Sequence, residues 1–187
     1  MIYKTVDPRS IKDNLIKCLA EEWALITAGG KDGYNMMTAS WGFMGEMWGA
    51  DSLAVVVRPQ RYTMEFIEKN DYFTVSFYGD NKDIHKVCGS KSGRDCDKTM
   101  EAGLTPVTGE KYTYFKEARM VLVVKKQFVQ QMTEDSFVDK AVIDRWYPEK
   151  DNSHLSTDRR KRLSVYPTSR KWRTEPRENK TPIPTNI

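Results

Sequence analysis

Two arginines and two hydroxyl side chains stand close together in the stretch RPQRYT, residues 58–63. The proline after Arg58 disfavours further strand pairing, so we expect a strand to end here and a helix to begin. Unpaired N–H groups at a helix N-terminus, together with the charges of Arg58 and Arg61, are components of a phosphate site. Tyr62 and Thr63 add hydroxyl donors. Two solvated arginines beside a helix cap would have the same composition.

A second polar segment, CGSKSGRDCDK at residues 88–98, precedes an expected helix. Its two glycines allow the backbone to approach a ligand closely. Four of its side chains have the charge or hydroxyl needed to hold an anion. They are Ser90, Ser92, Arg94 and Lys98. A surface loop of the same composition would be ordinary, so this segment alone does not identify a site.

The third segment, NMMTASW at residues 35–41, carries hydroxyls at alternate positions. If it is a strand, Met36, Thr38 and Ser40 share one face, because successive side chains point to opposite faces. Two hydroxyls in line could hydrogen-bond a flat polar ligand. The alternative is a half-buried strand with an exposed threonine and serine.

The catalytic signatures that can be recognised in a sequence are missing. The chain has no GxGxxG, GxxxxGK[ST], HExxH or CxxC pattern. With only two histidines, His85 and His154, we expect neither a histidine metal site nor a Ser-His-Asp triad. We therefore expect no metal and no catalytic side chain. The protein either binds a ligand or lets a cofactor carry the chemistry.

Length and composition favour one compact domain in the cytoplasm. The chain of 187 residues is 39% hydrophobic and 30% charged, which is ordinary for a soluble protein, and we expect no membrane segment. Its first residues lack the apolar core of a secretory signal. The three cysteines cannot all pair, so we expect them to be thiols.

The basic net charge of +4 comes from the C-terminal part of the chain. Residues 151–187 hold nine Lys and Arg but only four Asp and Glu, which leaves residues 1–150 close to neutral. No nucleic-acid motif accompanies this charge. Because an isolated charge run is usually solvated, we do not expect a nucleic-acid partner.

Apolar and β-branched runs predict strands, and the amphipathic stretches between them predict helices. Strands are expected at 23–30, 35–41, 53–59, 71–79 and 118–131, the first two joined as a hairpin. Helices are expected after Ser10 at 11–23 and at 61–69, 81–88, 95–102 and about 136–147. Since strict strand–helix alternation is missing, the pattern indicates a mainly β barrel or sandwich with peripheral helices.

Five consecutive stretches resemble one protein family. They are WALITAG, YNMMTASWG, VVVRPQRYTMEFIE, SGRDCDK and EAGLTP, and they lie within residues 1–150. In this order they resemble the flavin reductase-like, FMN-binding split-barrel proteins, including flavoredoxin-type members. The resemblance implies a six-stranded split β-barrel, a homodimer and non-covalently bound FMN. It makes residues 1–150 the FMN-binding domain.

The resemblance also implies a set of FMN-binding residues. The residues expected to line the isoalloxazine ring are Met37, Thr38, Ala39, Ser40 and Trp41, with Asn35 shaping the entry to the strand. The residues expected to hold the phosphate are Arg58, Arg61, Tyr62, Thr63, Ser92 and Lys98. The activity implied is hydride transfer from NADH or NADPH to FMN and onward electron delivery. The alternatives are a flavoredoxin-like electron carrier served by a redox partner protein, and a non-catalytic FMN-binding protein.

Residues 151–187 depart from the family pattern, because family members usually close the barrel here with a hydrophobic strand. In this chain the segment lacks strand alternation and has four prolines from Pro167 onward. We therefore expect an atypical basic tail without the closing strand, in which only SVYP, residues 164–167, could pair. A disordered tail and a change of reading frame are both open explanations.

Overall fold

The computed structural model describes residues 4–147 and the backbone of residues 162–174. The strands are β1 Lys4–Val6, β2 Ala24–Gly30, β3 Gly33–Ala39, β4 Gly42–Met47, β5 Ala50–Val57, β6 Tyr72–Phe77, β7 Pro106–Thr108, β8 Thr113–Phe115, β9 Met120–Lys125, β10 Phe128–Gln130 and β11 Arg162–Thr174. The helices are α1 Leu15–Lys17, α2 Thr63–Lys69, α3 Lys82–Ser90, α4 Lys98–Glu101 and α5 Ala141–Trp146.

Nine strands form one sheet with the order β3-β2-β6-β9-β11-β5-β4, and β1 and β10 also pair with β11. The predicted hairpin is confirmed: β2 and β3 are antiparallel, with Leu25 opposite Thr38. Along this order β3 and β4 are the two edges of the sheet, while β7 and β8 form a separate two-stranded sheet. Edge strands expose unpaired backbone groups, so β3 offers N–H and C=O groups for other contacts.

The sheet curls around one apolar core, which we call the barrel core. Alternate residues of strands far apart in the sheet order meet in it, as expected when one face of a curved sheet turns inward. Its strand residues include Ile26, Met37, Val55, Val75 and Leu122. Because β2 and β5 lie near opposite ends of the order yet share this core, the sheet is a split β-barrel, as the sequence resemblance implies.

The outer face of the sheet beside β3 is covered by α3 and by the segments that follow it. A second apolar cluster joins Met36 of β3 to Ile84 and Cys88 of α3 and to Phe115 of β8. The neighbours Met36 and Met37 thus lie on opposite faces, as the strand period requires. This packing holds α3 and the loop after it against the free edge of β3.

The expectation that the tail lacks a closing strand is wrong over residues 162–174, whereas the expected pairing of SVYP, residues 164–167, is confirmed. There β11 pairs with β5 through residues 162–167 and with β9 through residues 168–174. Its register shifts between Thr168 and Trp172, next to Pro167, and a proline within a sheet is tolerated at such an irregularity. Without β11, backbone N–H and C=O groups of β5 and β9 would lack hydrogen-bond partners. Pairing these groups stabilises β11 even though its sequence has little strand alternation. The rest of the expected tail lies outside the described residues.

Three other elements differ from their predicted form. The helix expected from Ser10 begins at Asn14, whose side chain accepts a hydrogen bond from Lys17 N at 3.1 Å. Only α1 and one π-helical turn, Cys18–Glu22, follow it. The strand expected at 118–131 is divided into β9 and β10. Strand β4 was not predicted, because GFMGEM lacks a clear apolar period.

Candidate functional site

The free edge of β3 carries the first part of the candidate site. Lys98 at the start of α4 donates a hydrogen bond from Nζ to the carbonyl oxygen of Met36. This carbonyl therefore faces away from β2. Backbone groups of alternate residues in a strand point to the same side, so the N–H of Thr38 also lies on this edge.

Asn35 ties the entry of β3 to α2 and to the loop after α3. Its side-chain amide donates to Thr63 Oγ1 at 2.9 Å, and both side chains are buried. Gly93 lies so close to Asn35 that a Cβ at this position would stand 2.1 Å from Asn35 Oδ1. The loop can approach the amide only because residue 93 is a glycine. Three segments that are distant in sequence are thus fixed at one point.

Two cations, half-buried Arg61 and buried Lys98, meet at one carbonyl oxygen beside this junction. Arg61 donates to Gly89 O at 2.9 Å and to Cys88 O at 3.4 Å, and Lys98 Nζ donates to Cys88 O at 3.5 Å. Lys98 is only 4% exposed. Burial, with the charge of Arg58 nearby, lowers the pKa of Arg61 below its ordinary value. Burial also lowers the pKa of Lys98, and the neighbouring Arg61 adds to this effect.

Neither of these two cations forms an ion pair with a carboxylate within residues 4–147. Among the described residues their hydrogen-bond partners are carbonyl oxygens, whereas buried charges in proteins are usually paired with an opposite charge. Two partly desolvated positive groups that share a carbonyl oxygen would bind an anion strongly. The pair of Arg61 and Lys98, which we call the cation pair, is therefore the chemical centre of the site.

Arg94, another cation of the loop at residues 88–98, is neutralised. Arg94 forms an ion pair with Glu65 and lies over the ring of Tyr62 at 4.2 Å from the ring centroid. Tyr62 also contacts Phe66 edge to face, at 5.1 Å between ring centroids. Ser92 accepts a hydrogen bond from the backbone N–H of Arg94 at 3.2 Å. Arg94 thus holds the loop in place. Because Glu65 already balances its charge, Arg94 is less able than the cation pair to bind an anion.

Arg58 lies among aromatic side chains. It donates from Nη2 to the carbonyl oxygen of Trp146 at 2.8 Å. Its guanidinium carbon stands 5.2 Å from the ring centroid of Trp41 and 5.3 Å from that of Tyr147. Trp41 in turn meets Trp146 edge to face, at 5.4 Å between centroids. Arg58 is therefore held by cation–π contacts beside the cation pair.

The hydroxyl of Thr38 is engaged by α3. It donates to the carbonyl oxygen of His85 at 3.1 Å, and its oxygen lies 3.2 Å from Nδ1 of the same residue. Since the hydroxyl hydrogen is used on the carbonyl, Nδ1 must carry the proton that is donated to Thr38. His85 Nε2 is then an acceptor, buried without a hydrogen-bond partner among the described residues. Burial, and secondly the charge of Lys82, lower the pKa of His85 to about 4.

The structure brings together half of the twelve FMN-binding residues expected from the sequence. Those that meet around the junction of β3, α2 and the loop are Asn35, Thr38, Arg61, Thr63, Ser92 and Lys98. Met37 is in the barrel core and Ala39 packs against it. Because backbone groups alternate along a strand, those of Met37 and Ala39 face β2, so these two residues do not reach the free edge. Ser40 and Trp41 lie half-buried beyond the strand, and Trp41 is grouped with Arg58.

Sequence reasoning did not single out the roles of His85, Trp146 and Tyr147. The isolated histidine gave no signal, because its partner Thr38 is 47 positions away. The aromatic residues of the sequence RWY carried a detectable signal, since an adjacent Trp and Tyr after a basic residue often mark contact surfaces.

Burial raises the pKa of Cys88 to about 11, so this thiol stays protonated at neutral pH.

A polar cavity of about 290 Å³ lies elsewhere, around α1 and Arg119. Arg119 forms ion pairs with Asp13, at 2.9 Å, and with Glu22, so the charges there are matched internally. Within residues 4–147 and 162–174, no group of His, Cys, Asp and Glu could hold a metal ion, and no helix is long and apolar enough to cross a membrane. The cation pair remains the stronger candidate site.

Comparisons with known proteins agree with the resemblance seen in the sequence. Residues 16–163 match the family model described as flavin reductase like domain. No curated protein matches the chain. An FMN-binding domain of a flavin reductases-like enzyme from Shewanella baltica is similar in structure, with 17% identity, a TM-score of 0.62, and coverage of 92% of this chain and 78% of that one.

Two flavoredoxins are also similar in structure. The protein from Desulfovibrio vulgaris has 21% identity and a TM-score of 0.58, covering 82% of this chain and 69% of its own. The protein from Methanosarcina acetivorans has 19% identity and a TM-score of 0.57, covering 78% of this chain, and this chain spans only 64% of its length. At such identities the structural likeness shows the fold alone. Because the family model covers most of the sequence, the chain belongs to the flavin reductase-like family.

Proposed function

We propose that the chain is an FMN-binding flavoprotein that acts as an NAD(P)H-dependent flavin reductase. The observation that carries this proposal is the cation pair, in which half-buried Arg61 and buried Lys98 meet at Cys88 O with no carboxylate of residues 4–147 paired to either. A phosphate dianion would supply the missing negative charge. Membership of the family, and neighbours whose names include an FMN-binding domain and flavoredoxins, support FMN as the phosphate-bearing ligand.

The residues present fit the two ends of this cofactor. The cation pair, with Arg58 nearby and the hydroxyls of Thr63 and Ser92, would hold the phosphate. The backbone edge of β3, at the N–H of Thr38, would hydrogen-bond the polar edge of the ring system. A fixed backbone donor there would favour the negative charge that develops on reduction.

When bound, FMN would supply the redox chemistry by accepting a hydride from NADH or NADPH and passing electrons to an acceptor. The chain need supply no acid or base for the hydride step. This agrees with its titratable groups, because His85 is neutral and Cys88 is protonated at neutral pH. The role of the side chains is to bind and orient the cofactor.

The visible absorption spectrum of the purified protein, followed by anaerobic addition of NADH and NADPH, tests the proposal. We expect a flavin spectrum that bleaches with one of the two nucleotides. A flavin that binds but stays oxidised with both would instead indicate a flavoredoxin-like electron carrier or a non-catalytic FMN-binding protein. A chain that neither contains nor takes up FMN would refute the proposal.

Substitution of the cation pair locates the phosphate. The Arg61→Ala variant should bind FMN about 10- to 100-fold more weakly, because a charge-assisted hydrogen bond contributes about 1.5–3 kcal/mol. Riboflavin, which lacks the phosphate, should be affected much less. Arg94→Ala is the control, since Arg94 is an arginine of the loop that precedes Lys98 but is paired with Glu65. Equal losses in both variants would show that the phosphate lies elsewhere.

We also propose that the chain forms a homodimer. Apolar side chains are exposed at and near the edge strand β4, where Phe43 is 53% and Trp48 66% exposed. Trp48 contacts Phe128, itself partly exposed, at 6.0 Å between ring centroids. A second copy would remove this apolar surface from water. Light scattering should give twice the monomer mass for the wild-type chain and a lower mass for Trp48→Ser.

A further inference from the structure

The segment from Phe137 to Tyr147 packs against the candidate site without contributing to either apolar core. It contains α5, Ala141–Trp146, in which no side chain is buried. A helix of six residues is not stable in isolation, so contacts must hold it in place. The contacts that do so are made by Trp146 and Tyr147 at its C-terminal end.

Those contacts converge on one cation. Arg58 donates to Trp146 O at 2.8 Å, and its guanidinium is 5.3 Å from the ring centroid of Tyr147. Trp41 closes the other side, 5.2 Å from Arg58 and 5.4 Å from the ring of Trp146. Phe137 packs edge to face on Tyr147, with 6.1 Å between ring centroids. We call this arrangement of Trp41, Trp146 and Tyr147 the aromatic clamp.

The aromatic clamp keeps the guanidinium of Arg58 close to that of Arg61, although the two positive charges repel each other. Arg61 is close enough for the two guanidinium groups to repel each other, and after burial this repulsion is the second cause of the lowered pKa of Arg61. A free arginine side chain next to such a neighbour would turn towards solvent, because repulsion falls with distance and with dielectric constant. The rings and the carbonyl of Trp146 hold it back. An anion that reaches Arg61 therefore finds a third cation already close by.

We propose that Tyr147 is a positioning residue that, with the carbonyl of Trp146, holds Arg58 ready for the phosphate of the bound flavin. This inference rests on the proposed function and adds to it the segment from Phe137 to Tyr147. Tyr147 acts through Arg58 and not by direct contact with the phosphate. Its contribution to affinity should therefore exist only while Arg58 is present.

A double-mutant cycle with two ligands tests this. In Tyr147→Leu, FMN affinity should fall about fivefold, the size expected when a partly exposed cation–π contact is lost. Riboflavin affinity should not change, because that ligand has no phosphate. Tyr147→Phe keeps the ring and should retain wild-type FMN affinity. In an Arg58→Met background, Tyr147→Leu should have no further effect. Val138→Ser, at a fully exposed position of the same segment, is the neutral control.

Two results would overturn the assignment. One is a loss of FMN affinity in Tyr147→Leu that is equally large in the Arg58→Met background. The other is an equal loss of riboflavin affinity, which would indicate general damage to the site.

Hydrogen exchange separates this inference from the proposed function. The amide of Tyr147 donates to Ile143 O at 2.8 Å, so its exchange reports on α5. In the flavin-free protein, Arg58→Met should speed this exchange about tenfold or more, whereas unchanged exchange would show that Arg58 does not hold the segment. If the wild-type chain bound neither FMN nor riboflavin, the proposed function would fail. The hydrogen exchange of the Tyr147 amide would then still show whether Arg58 and the aromatic clamp hold each other in place.

Discussion

Replacing His85 with glutamine should abolish an acid-dependent loss of stability. His85 is 1% exposed, and its pKa is lowered from 6.5 to about 4 by burial and by Lys82. The unfolded chain therefore takes up a proton between pH 6.5 and about 4 that the folded chain refuses, so acidification favours unfolding. The stability is fully present above pH 6.5 and falls as the pH decreases through this window.

The magnitude follows from the size of the pKa shift. Each pKa unit corresponds to 1.36 kcal/mol, so lowering the pH from 7.5 to 5.0 should cost the folded state about 2 kcal/mol through His85 alone. The full cost near pH 4 would be about 3 kcal/mol. Glutamine does not titrate and can still hydrogen-bond to Thr38, so the variant should lose this part of the pH dependence. Carboxylates titrate in both proteins and cancel in the difference.

Urea unfolding at pH 7.5, 6.5, 5.5 and 5.0, on both proteins, measures this difference. We expect the free-energy gap between wild type and variant to change by about 2 kcal/mol across the series. Parallel curves would refute the assignment of a neutral, buried His85. NMR titration of the His85 ring in the wild-type chain gives an independent reading: an apparent pKa near 6.5 would contradict the reasoning even if the variant folded poorly.

Two further substitutions test other contacts by urea unfolding. Gly93→Ala places a Cβ 2.1 Å from Asn35 Oδ1, so it should lower the free energy of unfolding by about 1–3 kcal/mol and weaken FMN binding. An unchanged free energy of unfolding would mean that the loop can move away from Asn35. Arg119→Gln leaves the carboxylate of Glu22 largely buried without its partner and should cost about 3 kcal/mol. Lys31→Gln breaks only an exposed ion pair and should cost less than about 1 kcal/mol, so comparable losses at both positions would contradict this ranking.

The strands that the sequence predicted well are those buried on both faces or joined by a tight turn. The segment 24–30 is an uninterrupted run of small and apolar residues, and all seven residues are buried. Its partner β3 follows through a glycine turn. Strand β11 could not be predicted in this way, because its place depends on the unpaired ladders of β5 and β9. These ladders exist only once the sheet has formed.

The same limit applies to the candidate site. The loop 88–98 contains several cations, and the composition gives no means of ranking Arg94 against Lys98. The structure ranks them by their partners within residues 4–147: Arg94 pairs with Glu65, 29 positions away, while Lys98 donates only to carbonyl oxygens. Similarly, the alternation of β3 predicted the face on which Thr38 lies, but not that His85 would take its hydroxyl.

The position of the site follows from where the chain can tolerate unbalanced positive charge. Arg61 and Lys98 are stabilised by the carbonyls of Met36, Cys88 and Gly89, which belong to a strand edge and to the end of α3. Strand edges and helix C-termini are the places where a fold has unpaired carbonyl groups to offer. These dipoles make burial of the two cations tolerable but leave a net positive charge. A dianion would supply the balancing charge. It would stabilise the folded chain, because its binding site exists only when β3, α3 and the two cations are brought together by folding.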